Sequence, residues 1–140
     1  MREIKFRAWD KATNTMILPE ESNGWKLHLN GCVDYKGTWA TGDLELMQFT
    51  GLLDKNGKEI YEGDIVRILY SDWGSQSDYS ITLEQHKINE SQIGTVVFEY
   101  CEYLLQFDEY TDTLHHGAHG ERHIIGNIYE NPELLTPNTQ

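Results

Sequence analysis

The sequence predicts a mainly β fold, a small curled sheet with an N-terminal β-hairpin extension and long irregular loops. Three observations predict it. Apolar and β-branched residues recur in runs of strand length at residues 4–9, 65–70, 95–100, 104–110 and 124–129. Turn-forming clusters separate the runs, the strongest being Asp54-Lys55-Asn56-Gly57-Lys58. Gly24, Gly31, Gly37 and Gly42 recur at intervals too short for a long helix.

Ile4, Phe6 and Ala8 alternate with Lys5, Arg7 and Trp9, the period-two pattern of a strand. Residues 10–14 are rich in turn formers, and the apolar run 16–18 stops at Pro19, so the two runs predict a hairpin. Between residues 20 and 43, Trp25, Leu27 and Leu29 alternate with Lys26 and His28, which predicts one short strand inside an irregular connection. Residues 44–49 lack a clean polar face and fit either a short strand or one helical turn, ended by Thr50 and Gly51.

Asn56-Gly57 suits a type I′ corner, because both residues tolerate positive φ. Glu62-Gly63-Asp64 makes a second turn into 65–70, a core strand with two partly apolar faces. Residues 71–92 are polar, with the composition of a loop anchored by Trp73 and Tyr79 and room for a short helix at 83–89. Strands follow at 95–100 and 104–110, joined by a bend at Cys101-Glu102-Tyr103. Residues 124–129 make the last strand, interrupted by Gly126, and Asn131-Pro132 begins a terminal turn or helical cap.

A chain of 140 residues with 39% hydrophobic composition fits a single domain, 1–140, and an N-terminal subdomain 1–50 packed on a β core 51–135 is an expectation within it. Cys32 and Cys101 are too few for a disulfide framework and read as buried thiols in a reducing cytoplasm. The opening MREIKFRAWD has no apolar signal region, and no segment reaches the roughly 18–20 apolar residues of a transmembrane helix. A cytoplasmic protein with no membrane partner is therefore expected. Eleven Lys and Arg stand against 23 Asp and Glu, for a formal net charge of -12. Such a chain repels a phosphate backbone unless its basic residues gather on one face.

Three stretches carry a resemblance: IKFRAWDKATNTM at 4–16, LMQFTGLLDKNGKEIYEGDIV at 46–66 and IGNIYENPELL at 125–135. In this order they resemble the YopX family of phage and prophage proteins. The resemblance implies a mainly β architecture, phage or prophage origin and a place in the cytoplasm of the bacterial host, and it supplies no catalytic residues. The run EGDIVRI is also similar to small SH3-like barrels, with Gly94-Thr95-Val96 starting another strand. The short strands of residues 60–130 are accordingly expected in an SH3-like, barrel-like sheet, against which the hairpin packs. Such a fold hosts many functions and selects none.

His115, His116, His119 and His123 crowd one segment, and the four-residue steps from His115 to His119 to His123 would align three imidazoles on a helix. Gly117 and Gly120 interrupt any such helix and no fourth ligand is clearly placed, so turn histidines are the expectation. Glu99, Glu102, Asp108, Glu109 and Asp112 would hold Mg²⁺ only by converging, and strand alternation explains them without a site. Cys101 with His86 lacks an orienting group for a nucleophile and base, and a core thiol is the better reading of Cys101. No phosphate loop is present.

Lys5, Arg7 and Lys11 beside Phe6 and Trp9 form the best basic and aromatic patch, whose simplest reading is an ordinary sheet surface. Trp25, Trp39, Trp73 and Tyr79 read first as packing residues and second as interface anchors. No catalytic residue, metal ligand or cofactor is assigned. The functional expectation is a noncatalytic interaction protein, partnered by a second copy of itself or by a host or phage protein. The alternatives are a nucleic-acid-binding accessory protein using Lys5, Arg7, Lys11 and Trp9, and a small metal-dependent enzyme using His115, His119 and His123.

Overall fold

In a β-strand successive side chains point to opposite faces, so an alternating run buries one set and exposes the other. The computed structural model realises that pattern repeatedly. It describes residues 3–18, 25–27, 33–35, 38–40, 44–70, 92–108, 111–114 and 120–136. These contain the strands β1 (Phe6–Asp10), β2 (Thr15–Ile17), β3 (Trp25–Leu27), β4 (Val33–Tyr35), β5 (Thr38–Ala40), β6 (Leu44–Leu53), β7 (Glu59–Tyr61), β8 (Asp64–Tyr70), β9 (Gln92–Glu99), β10 (Glu102–Gln106), β11 (Thr111–Thr113) and β12 (Gly120–Asn127). One 3-10 turn, Pro132–Leu135, follows them, and the described residues hold no long helix. The fold is mainly β, as its sequence predicts. The chain divides into two units, Met1–Gly51 and Leu52–Gln140.

In the first unit β1 and β2 form the expected N-terminal hairpin, with Trp9 opposite Met16. Asp10 closes it by accepting the backbone N–H groups of Ala12 and Thr13. The other side of β1 pairs antiparallel with β6, from Phe6 opposite Gln48 to Asp10 opposite Leu44. Ala8, Trp9, Met47 and Phe49 are buried here. β3, β4 and β5 form a separate antiparallel meander. Where one short strand was expected between residues 20 and 43 there are three, because the spacing of the glycines permits strands of three residues. β6 is a strand and not a helical turn, and it runs past Thr50 and Gly51 instead of ending there, with Gly51 at φ 86°.

In the second unit β6 turns through residues 54–58 into β7. The turn differs from the type I′ corner expected at Asn56-Gly57. Gly57 alone has positive φ, 81°, Gly57 N–H donates to Asp54 C=O at 3.0 Å, and Asp54 N–H donates to Lys58 C=O at 2.8 Å. These bonds are those of a three-residue loop closed by a glycine bulge. The Asp54 side chain decides the outcome by accepting the N–H groups of Asn56 and Lys58, both at 2.9 Å.

The main sheet has the order β11-β10-β9-β8-β12, antiparallel at each step. Its core is Ile60, Val66, Ile68, Val96, Tyr103, Leu105 and Leu114, with Leu52, Phe107 and Ile124 packed against them. Each such aliphatic side chain contributes about 1.5–3 kcal/mol on burial. Gly94 lies within β9 instead of starting it, and the Phe107 ring occupies the space its side chain would need, 2.9 Å from a Cβ there. Of the run expected at 104–110 only residues 104–106 lie in a strand, β10, while Phe107 and Asp108 leave it, residues 109 and 110 lie outside the described residues, and Ile128 and Tyr129 leave the last strand for a turn.

The sheet curls. Leu114, just past the edge strand β11, and Ile124 on the opposite edge strand β12 pack into one core, as they could not across a flat five-stranded sheet. Burial lowers the pKa of Arg122 while the Asp112 carboxylate raises it. A bulge between Ile124 and Gly126 adds bend to β12.

Candidate functional site

The residues of the three resembling stretches do structural work in this fold. Asp54 holds the 54–58 turn, and its second carboxylate oxygen accepts Ile124 N–H of β12 at 3.2 Å. Asp64, almost fully buried, accepts Tyr61 N–H at 2.8 Å across the Glu62-Gly63 turn. Gly63, at φ 79°, donates to Val96 C=O at 2.8 Å and accepts from Ile128 N–H at 2.9 Å. Asn127 accepts the N–H groups of Tyr129 and Glu130, and its amide donates to the Glu130 carboxylate at 2.7 Å. Asn131 in turn accepts Asn127 N–H and donates its own to Asn127 C=O. Turn closure thus engages the side chains of Asp54, Asp64, Asn127 and Asn131.

The basic face of β1 is differently built from an open patch. Alternation puts Lys5, Arg7 and Trp9 on one side of the strand, with Lys11 in the turn that follows, yet Arg7 and Trp9 are only 6% and 8% exposed. Lys5 pairs with Glu3 at 3.3 Å and lies over the Phe49 ring, and Lys11 pairs with Glu45. Phosphate contact there would compete with two carboxylates.

Of the four clustered histidines only His123 is among the described residues, and the expectations for His115, His116 and His119 lie outside them. His123 is half-buried on β12, with Nε2 3.4 Å from Glu121 Oε2. Glu121 also receives the Lys55 ammonium, and this hydrogen bond holds its pKa below the ordinary carboxylate value. Among the described residues no three His, Cys, Asp or Glu side chains are grouped to hold a metal ion. Glu99, Glu102 and Asp108 are exposed, Asp112 stands opposite Leu105, and Glu109 lies outside the described residues. Cys32, His86, Trp73, Tyr79, the helix expected at 83–89 and the loop 71–91 also lie outside them, as do the side chains of Trp25 and Trp39.

Cys101 corrects the core-thiol expectation: it is exposed. The pairing explains why. Val97 faces Leu104, Phe98 faces Tyr103 and Glu99 faces Glu102, which leaves Tyr100 and Cys101 as the two residues of a hairpin loop. The bend therefore falls at 100–101 and not at 101–103, and Tyr103 belongs to the core. Both loop residues have positive φ, 51° and 65°, the type I′ geometry usually given to Asn-Gly. Tyr100 is 89% exposed and Phe98 49%, the latter leaning on Tyr103 with ring centroids 4.9 Å apart. Tyr100 beyond the exposed pair Glu99 and Glu102, with the Phe98 ring on the strand behind them, makes this tip the most distinctive described surface. Only the strained loop composition at residues 100 and 101 could have marked it beforehand.

The family model of the YopX protein matches residues 5–136. The chain belongs to the YopX family. The crystal structure of protein EF1440 from Enterococcus faecalis is similar to this YopX-family chain, at 26% identity over 97% of this chain and 100% of that one, with a TM-score of 0.59. The crystal structure of protein yopX from Bacillus subtilis matches over the same shares at 21% identity and a TM-score of 0.63, a likeness of fold. No curated protein matches this YopX-family chain. No helix among the described residues is long and apolar enough to cross a membrane.

Proposed function

We propose that this YopX-family protein is a noncatalytic phage or prophage protein that acts by binding another protein in the bacterial cytoplasm, and that the β9–β10 hairpin tip is its contact. One observation carries the reading: the chain places Tyr100, 89% exposed, in a loop where both residues adopt left-handed backbone. Each such non-glycine residue costs about 1–2 kcal/mol, which Asn-Gly would largely avoid. Strain of this kind clusters where a side chain is held for contact. A tyrosine offers large apolar area with little side-chain entropy to lose, and Glu99 and Glu102 beside it favour a partner with basic groups at its rim.

The test is photo-crosslinking from position 100, with an exposed control position such as Thr111, in host lysate and in purified protein. The reading expects one recurrent adduct from position 100, lost in Phe98→Ala, and either a host or phage protein or a second copy satisfies it. Equal labelling from both positions would overturn it.

A further inference from the structure

We infer that the 54–58 loop guards the outer edge of β12, and that this edge pairs with β12 of a second copy once the guard is removed. β12 is the last strand of its sheet, and among the described residues it is paired with β8 on one side only. An eight-residue edge strand presents a row of N–H and C=O groups that invites another strand. Two of those groups are occupied by the loop: Lys55 N–H donates to Arg122 C=O at 2.8 Å, and Ile124 N–H donates to Asp54 Oδ2 at 3.2 Å. The Lys55 ammonium on the Glu121 carboxylate holds the loop down from its other end. Asp54 thus caps the edge while its first oxygen keeps the turn in shape.

A second copy is the occupant that fits the uncapped edge. The bulge between Ile124 and Gly126 leaves residues 120–124 as the regular stretch of the strand. Antiparallel two-fold pairing about Arg122 puts Glu121 opposite His123 twice over, a charge-complementary arrangement when the imidazole is protonated. The same two-fold sets Arg122 beside its own copy, which keeps the pairing reversible.

The variant that tests this is Asp54→Asn with Lys55→Pro, made in Tyr100→Ala protein so that the hairpin tip is not involved. Asparagine keeps one oxygen for the Asn56 and Lys58 amides but turns an NH2 toward Ile124 N–H. Proline suits the first corner of the turn and removes both Lys55 contacts. Light scattering across the micromolar range should show the mass rise toward twofold, with protection of the Ile124 amide from hydrogen exchange rising alongside it. A folded double variant whose mass stays that of its Tyr100→Ala parent at every concentration overturns the inference. If circular dichroism shows the double variant unfolded, Asp54→Asn alone is read by the same two measurements, and an unchanged mass overturns it equally.

Discussion

Asp54 and Ile124, 70 residues apart in the chain, are joined by a 3.2 Å hydrogen bond from the Ile124 backbone N–H to a carboxylate oxygen that also belongs to a hairpin turn. One side chain therefore sets a local loop and fastens it to the edge strand of the main sheet.

The pH dependence of stability should follow from this group. Burial pushes the Asp54 carboxyl up, but N–H groups of Lys58, Ile124 and Asn56 and the charge of Lys58 outweigh it and hold the pKa below 3.8. A depressed folded-state pKa adds stability above the unfolded value, lost as pH falls through the folded one. Asp54→Ala should cost about 2–3 kcal/mol at neutral pH, since buried amides lose a charged acceptor. In urea unfolding the gap between variant and wild type should shrink below pH 3.8. A constant gap would remove Asp54 as the source.

Gly126 and Gly57 should respond differently to alanine. A methyl group at Gly126 would stand 2.5 Å from Asn131 Oδ1 and 2.8 Å from its Cβ, so Asn131 must leave Asn127. The cost should be about 1–3 kcal/mol. At Gly57, φ is 81° and nothing lies within 4 Å, so alanine there meets only the backbone penalty of about 1 kcal/mol. Thermal melts of the two variants should rank them in that order.

Replacing Tyr100-Cys101 by Asn-Gly should raise stability by about 1–2 kcal/mol, because both positions have positive φ. The same double variant should no longer pull down the partner that a probe at position 100 captures. A lower melting temperature would show that the loop carries no backbone strain.

Cys101 should react with a thiol reagent in the folded protein without denaturant, since it is exposed at a turn. Cys101→Ser should abolish that reaction. Reaction only after denaturant is added would return Cys101 to the core.

The strands of the second unit were legible because Val66 and Ile68, or Val96 and its neighbours, repeat at the strand period. The hairpin tip was less so. Between Thr95 and Leu105 the sequence signals a bend but places it at 101–103, because neither Tyr100 nor Cys101 is a usual turn former, and only the match of Phe98 with Tyr103 places the loop at 100–101. Arg7 was correctly assigned to a strand and Lys11 to the turn after it, yet composition does not reveal that Glu45, 34 positions from Lys11, lies within reach of it.

By itself the sequence determined the β class, the N-terminal hairpin and the turns at residues 54–58 and 62–64, because period-two burial and the tolerance of glycine for positive φ are properties of neighbouring residues. Only the tertiary structure decided that Asp54 caps β12, that Leu114 and Ile124 share one core, and that Cys101 stands outside it. Each of these depends on register between strands far apart in the chain, where a shift of one residue moves a side chain to the opposite face of the sheet.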